Sequence, residues 1–362
     1  MPEHLRNKPH RVLVTRFSAI GDVAMTVPVV YSVCRANPET RFVMLTRPSM
    51  CAMMVNAPSN LILHPADVSH DYKGLTGMRR LLREVEGEHG PFDAMADLHN
   101  VLRTIMLGIM LRLKGVRVCR LNKARSRRRA LTRARNKILL PLTPQTARYT
   151  EVFNRLGLTT SDSGFSSVWG DGKKGDPALF AEVTAPKAAG EHWIAVAPFA
   201  RHKGKIYPLG LMHRVVESLA AAGNRVFLFG GGDSERDTLA AWTGPGIISL
   251  ADRRRGFAVE LALLSHMDVM VSMDSANMHL ASLTGVPVVT VWGATHPYCG
   301  FRGYGQSDAT AVQLSMTCRP CSIFGNKPCH RGDYHCLAGI NPAAITDKVN
   351  DILKRRQPPV SP

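Results

Sequence analysis

Asp22 follows Gly21 in the stretch Arg-Phe-Ser-Ala-Ile-Gly-Asp-Val-Ala-Met-Thr-Val-Pro, residues 16–28. An apolar run, Val12–Val14, precedes it and a helical pattern follows. Glycine between a strand and a helix usually brings a phosphate to the helix N-terminus. An acid placed there offers instead a helix cap or a proton acceptor. Three later loops carry residues suited to a nucleoside diphosphate. Pro-Phe-Ala-Arg-His-Lys-Gly-Lys-Ile-Tyr-Pro (198–208) sets Arg201 and Lys205 ahead of a helix entry, where a cation and helix N–H groups share a phosphate. Gly-Gly-Gly-Asp-Ser-Glu (230–235) lets a ligand approach the backbone; a carboxylate here, such as Glu235, could take two ribose hydroxyls, while Asp233 or Ser234 could simply cap the next helix. Met-Asp-Ser-Ala-Asn-Met-His (273–279) places Asp274 and Ser275 at a helix start whose first residues, Ala276, Asn277 and Met278, leave N–H groups for a pyrophosphate. His279 lies in the same first turns. Asp274 tolerates a neighbouring anion only by turning away from it to fix the loop.

The elements that must position these loops alternate along the chain. Strand-like runs at 41–45, 92–98, 193–197, 225–229, 269–272 and 288–292 are separated by helical patterns such as 209–222 and 275–284. That alternation predicts an α/β fold with parallel sheets covered by helices on both faces. Residues 158–189, rich in Gly, Ser, Asp, Lys and Pro, read as a linker. The division is a first domain at 1–157, a second at 190–340, and a closing helix and tail at 341–362. Ligands in such sheets sit beyond the carboxyl ends of the strands, which is where the four loops fall.

The charge is lopsided. Residues 1–156 hold 26 Lys and Arg against 11 Asp and Glu, so they supply most of the net charge of +18. A basic half points to an anionic partner: nucleic acid, membrane surface or phosphorylated substrate. The densest piece, from Lys123 through Arg127 and Arg128 to Lys137, is a solvated face or a phosphate-docking surface, and Leu131 and 138–140 suit a membrane interface. It has no aromatic residues, which weakens a single-strand nucleic-acid reading. No apolar run approaches the ~18 residues of a spanning helix and the first ten residues are polar, so a cytoplasmic location is expected. A dinucleotide-dependent dehydrogenase or epimerase would want Gly-x-Gly-x-x-Gly after the first strand, and that turn is absent.

Taken in order, these segments resemble the bacterial ADP-heptose:lipopolysaccharide heptosyltransferase family. The opening stretch 16–28, Ala-Asp-Leu-His-Asn-Val-Leu-Arg-Thr (96–104), Lys-Ile-Tyr-Pro (205–208), Gly-Gly-Gly-Asp-Ser-Glu, Met-Asp-Ser-Ala-Asn-Met-His-Leu-Ala (273–281) and Val-Trp-Gly-Ala-Thr-His-Pro (291–297) carry the likeness. The resemblance implies a GT-B fold, two Rossmann-like domains facing a central cleft, and an inverting, metal-independent sugar transfer without a cofactor. It implies an ADP-sugar donor on the second domain, held by Arg201, Lys205, Glu235 and the segment Asp274, Ser275, Ala276, Asn277, Met278, His279. It makes Asp22 the catalytic base. Ser18, Asp97, Asn100, Arg103, Arg127 and Arg128 would serve an anionic glycolipid acceptor, with the protein peripheral at the inner face of the inner membrane and no nucleic acid expected. The sequence departs from the family at Ala276, usually Gly, at Tyr207, usually Trp, and at Ala200-Arg201, where hydroxyl residues are usual. These departures bear on the donor rather than on the reaction.

Cys318, Cys321, Cys329 and Cys336 crowd one segment with His330 and His335. Their spacing permits a structural metal but is looser than a standard zinc ribbon; reduced thiols in a loop are the expectation. Oligomeric state is not legible.

Overall fold

The computed structural model describes residues 8–160, 164–252 and 256–356. The polar start before residue 8 and the tail after 356 lie outside the described residues. The chain forms two compact units, the first from Met1–Lys123 and Gln145–Gly172, the second from Ala124–Pro144 and Lys173–Pro362.

The first unit holds a five-stranded sheet of β1 (Arg11–Thr15), β2 (Arg41–Thr46), β3 (Leu61–Pro65), β4 (Ala94–Asp97) and β5 (Arg117–Arg120), in the order β3-β2-β1-β4-β5. All its pairings are parallel. Val12, Leu13 and Val14 are wholly buried, as expected of a strand covered on both faces. The helix Gly74–His89 buries Met78, Leu81, Leu82, Val85 and His89, one stripe at helical spacing, against Leu13, Val43, Leu45 and Met95. Each such leucine or valine contributes about 1.5–3 kcal/mol.

The second unit holds six parallel strands: β6 (Trp193–Ala197), β7 (Arg225–Leu228), β8 (Ile247–Ser249), β9 (Val269–Met273), β10 (Val288–Val291) and β11 (Ala311–Val312), in the order β11-β10-β9-β6-β7-β8. The helix Pro342–Arg356 belongs to this unit and buries Ile345, Val349 and Leu353 in the same core as Val215 and Val271.

The strand order reverses between β1 and β4 in the first sheet and between β6 and β9 in the second. Ligands bind at that reversal, beyond the carboxyl ends of the strands. Asp22 follows β1, Asp97 ends β4, Lys205 follows β6 and Asp274 follows β9. Four of the sequence-predicted loops therefore sit at the two switch points.

The unit boundary differs from a division at residue 157. Ala124–Pro144 is built into the second unit, where the Leu142 N–H donates to the Tyr298 carbonyl (2.9 Å) and Lys137 Nζ donates to the carbonyls of Cys318 (2.6 Å) and Pro320 (2.9 Å). The basic composition of 123–137 concealed this, because a charged run carries no periodicity to show which core its few apolar residues join. The stretch 158–189 is divided between the units at Gly172 and is well anchored in places: the Gly175 N–H donates to Ser265 Oγ (2.9 Å), and Lys187 pairs with Asp268 at 2.6 Å.

Candidate active site

On the first unit, Asp22 is the third residue of the short helix Ile20–Ala24. Its Oδ2 lies 2.8 Å from Arg16 Nη2 and accepts a long bond from the Ala19 N–H at 3.4 Å. Both sequence readings thus have a basis: the carboxylate closes its helix start, weakly, and it is 31% exposed. Arg16, only 8% exposed, holds it in place and is itself fixed by donating Nη1 to the Leu98 carbonyl (2.7 Å) and stacking 5.9 Å from the Tyr149 ring. Ser18 is half-buried two residues further on.

Asp97 is wholly buried. Its Oδ1 accepts from Thr15 Oγ1 (3.3 Å) and from the N–H groups of His99 (3.0 Å) and Asn100 (2.7 Å). It shapes the loop instead of projecting from it. Asn100, at φ 50°, donates Nδ2 to the Leu121 carbonyl at 2.8 Å, and its own carbonyl accepts from Lys123 Nζ at 2.7 Å. Arg103, exposed at the start of the helix Leu102–Arg112, is the member of this group that faces solvent.

The sequence reading passed over His99. Its Nδ1 accepts from the Phe17 N–H at 3.5 Å. Burial, with Arg16, Lys123, Arg47 and Arg103 around it, holds the ring down to about 3. Four cations thus gather on the loops after β1, β2, β4 and β5, a basic cluster suited to an anionic ligand. The signal was the Arg and Lys following each strand, hidden by the general basicity of the half.

His99 sets a pH prediction. Unfolded, the ring takes a proton near the ordinary value of 6.5; folded, it resists down to about 3. The unfolded state binds more protons in that window, so stability is full above pH 6.5 and is lost as pH falls towards 3. At pH 5 the loss reaches roughly 2 kcal/mol. Replacing His99→Gln should remove that part of the loss, read as a smaller fall in the urea midpoint between pH 7 and pH 5 than in the parent chain.

On the second unit, Lys205 Nζ pairs with Asp274 Oδ2 at 2.9 Å, with side chains 16% and 4% exposed. This answers where Asp274 points: it joins the loop after β6 to the loop after β9. Gly325 makes room for the lysine stem, at φ +73° and with a Cβ there placed only 2.6 Å from Lys205 Cγ. Beside the pair, the helix Ala276–Leu283 begins at Ser275, which makes no side-chain cap bond. Ser275, Ala276 and Asn277 are half-buried, whereas Met278 and His279 are buried. Arg201 is exposed, and with Lys205 it lowers the titration of His202 after burial has done so first. An uncapped helix N-terminus with a lysine paired beside it is the kind of arrangement that suits a phosphate.

Glu235 folds back on its own loop. Its Oε2 accepts from the Gly231 N–H (2.6 Å) and the Gly232 N–H (3.2 Å), capping the helix Asp233–Ala240. The cap that the sequence offered to Asp233 or Ser234 is made by Glu235 instead. Tyr207, in the place of a usual Trp, is wholly buried and donates its hydroxyl to the Ile340 carbonyl at 2.7 Å. Arg127 is exposed on the helix Arg125–Thr132. Arg128 lies 5.3 and 5.5 Å from the Phe301 and Phe324 ring centres, so its guanidinium is engaged in aromatic stacking within the second unit.

Arg319, 3% exposed, was not singled out in the sequence. It donates to the carbonyls of Gly293 (2.5 Å), Trp292 (3.2 Å), Thr295 (2.9 Å) and Leu314 and to Gln313 Oε1 (3.0 Å). It holds the loop after β10 in shape. Arg319→Met should leave several buried carbonyls unpaired and cost about 3–5 kcal/mol, measured as a fall in denaturation midpoint.

All eight cysteines carry free thiols. Cys318, Cys321, Cys329 and Cys336 line one small pocket with His330 and His335, and burial pushes Cys336 up to about 11. No three ligand atoms of this set lie within 4.8 Å of one another.

Two wholly parallel Rossmann-like units, with a carboxylate at one switch point and a phosphate-type cradle at the other, define a class of protein: the two-unit fold of nucleotide-sugar transferases. Residues 78–330 match glycosyltransferase family 9 (heptosyltransferase), and the chain belongs to that family. Lipopolysaccharide heptosyltransferase 3 of Escherichia coli is 26% identical over 111 residues, 29% of this chain and 32% of that protein. Such curated relatives are thus matched over about a third of their length or less. Among solved structures, the family 9 glycosyl transferase of Veillonella parvula superposes with a TM-score of 0.72 at 18% identity, covering 96% of this chain and 98% of that one. E. coli heptosyltransferase WaaC with ADP does so with a TM-score of 0.63 at 17% identity, covering 94% and 99%. These likenesses establish the GT-B fold.

Proposed function

We propose that the protein is an inverting glycosyltransferase that moves a heptose from ADP-heptose to the inner core of a lipid A-linked acceptor, without a metal. The observation that carries this reading is the Lys205–Asp274 pair beside the uncapped start of the helix Ala276–Leu283, at the switch point of the second sheet. Lys205, Arg201 and the N–H groups of Ala276 and Asn277 bind the donor diphosphate. The acceptor, a phosphorylated glycolipid, is drawn by Arg16, Arg47, Arg103 and Lys123. In the reaction an acceptor hydroxyl oxygen bonds to the anomeric carbon from the face opposite the diphosphate. The bond from that carbon to the diphosphate breaks, the hydroxyl proton passes to Asp22, and the leaving group's charge is met by Lys205 and the helix N-terminus. The ribose contact of Glu235 uses its second oxygen while the first keeps the cap.

No helix among the described residues is long and apolar enough to cross a membrane. The exposed arginines at 125, 127, 129, 133 and 135, next to exposed Ile138, Leu139 and Leu140, suit peripheral binding to an anionic leaflet. E. coli WaaC was solved with ADP, which supports adenine as the donor base.

A thermal-shift panel with ADP, UDP, GDP, NAD and a DNA duplex tests the donor assignment. A ligand at 100 times its Kd adds about 2.7 kcal/mol to the folded state, enough to move the midpoint by a few degrees. ADP alone among the panel is expected to stabilise. Stabilisation by another nucleotide would replace the donor, and by DNA alone would overturn the reading.

A further inference from the structure

A second group of side chains converges on the first unit, on elements that carry none of the residues assigned to transfer. His64 lies in β3, the edge strand, level with Leu45 of β2 and two strands removed from Thr15 of β1. Glu88 and His89 close the helix Gly74–His89. His64 Nδ1 and His89 Nε2 stand 3.1 Å apart, a ring-to-ring hydrogen bond in the chain without an ion, which a bound ion would replace. Glu88 reaches both, its Oε2 lying 3.5 Å from His64 Nδ1 and its Oε1 3.3 Å from His89 Nε2. Among the described residues, this is the one His, Cys, Asp and Glu group whose ligand atoms all lie within 4.8 Å of one another.

We infer that His64, Glu88 and His89 form a binding site for a divalent transition-metal ion, with zinc the best match. Ligands held 2.0–2.1 Å from a tetrahedral zinc stand about 3.3 Å from one another. The ring nitrogens, 3.1 Å apart, and the two carboxylate oxygens, one 3.5 Å from His64 Nδ1 and the other 3.3 Å from His89 Nε2, lie close to that value. The carboxylate contacts are long for hydrogen bonds, whose usual range ends near ~3.2 Å, so direct bonding to the rings does not account for them. The rings are 13% and 9% exposed, so their orientation is fixed by packing, while Glu88, at 63%, leaves a side open to a fourth ligand such as water. The cation would sit at a helix C-terminus, the negative end of its dipole. Two imidazoles and a carboxylate favour zinc, copper, nickel or iron over magnesium and calcium. Bound there, the ion ties the edge strand to the helix Gly74–His89.

The test uses the full chain, stripped with EDTA and titrated with Zn²⁺ by calorimetry and with Co²⁺ by visible spectroscopy. Glu88→Gln alters an exposed residue, and His64→Gln removes a ring ligand. The parent chain is expected to bind one ion at this site, with Co²⁺ d–d bands that lack a thiolate charge-transfer band. Losing a direct ligand should cost more than the ~10–100-fold typical of residues behind the ligands, so Glu88→Gln should weaken binding by more than tenfold and His64→Gln should abolish it. If His64→Gln fails to fold, Glu88→Gln decides alone. Unchanged affinity in Glu88→Gln, a spectrum carried only by thiolate ligands, or no binding of either ion would overturn the inference.

Discussion

Replacing Asp22→Ala is expected to reduce transfer by about 10²–10⁴-fold, the range a positioned general base supplies, while ADP binding stays unchanged. The two effects separate because Asp22 lies on the first unit and Lys205 and Asp274, the residues proposed to hold the diphosphate, lie on the second. Stability should fall as well, by less than the about 3–5 kcal/mol of a fully buried pair, because Arg16 is 8% exposed but Asp22 is 31% exposed. The cap bond to the Ala19 N–H is long, at 3.4 Å, and losing a cap costs about 1 kcal/mol. Arg16 keeps its bond to the Leu98 carbonyl when its partner goes. A residue that served only as a cap would show a small loss of stability with normal turnover. Asp22→Asn sharpens the comparison, since it keeps the size and a cap acceptor but is a far poorer base. Initial rates with saturating donor, and ADP affinity by calorimetry, read the two sides. Arg16→Met should also lower kcat, because the carboxylate loses the partner that fixes its position.

Lys205→Met is expected to act twice. A charge-assisted bond to phosphate is worth about 1.5–3 kcal/mol, so ADP affinity should fall by roughly 10–100-fold. The second effect falls on the fold. Asp274 is 4% exposed and Lys205 is its ion-pair partner at 2.9 Å. Removing one partner of a buried pair leaves a charge without compensation and costs about 3–5 kcal/mol. The double change Lys205→Met with Asp274→Asn should recover most of that stability and none of the ADP affinity. The combination divides the lysine's two roles: a purely structural lysine would give a double variant that binds ADP as well as the parent. Urea denaturation and ADP calorimetry on the four chains complete the cycle.

How much of this was readable from the sequence depended on burial. Strands covered on both faces stand out as apolar runs, continuous in Trp193–Ala197 and broken only by Ser272 in Val269–Met273. Edge and outer strands do not: Leu-Ile-Leu-His-Pro in β3 and Arg-Val-Cys-Arg in β5 are partly exposed and mix polar residues into the run. The helix Pro342–Arg356 was legible because proline begins it and its apolar residues recur at helical spacing. Roles fixed by long-range partners were hidden. Asp97 and Glu235 carry the residue type of a ligand-binding acid, and only the fold shows one oxygen of each turned to backbone N–H groups. Arg128 reads as one more arginine of a basic run until Phe301 and Phe324 close around it. Arg319 sits among cysteines that drew the eye, and its partners lie 5 to 27 residues away. The Lys205–Asp274 pair was half visible, since the need for Asp274 to turn from the anion followed from its charge, but the lysine it meets is 69 residues distant.

The most direct measurement of the central claim is transfer itself. The full chain would be incubated with ADP-heptose and a lipid A-linked acceptor lacking inner-core heptose, and the lipid followed by mass spectrometry with ADP release monitored in parallel. The expected product is heavier by one heptose residue, formed in step with ADP, inverted at the anomeric carbon, and absent with Asp22→Ala. Intact ADP-heptose and unmodified lipid after prolonged incubation, or product formed at the same rate by Asp22→Ala, would contradict that claim.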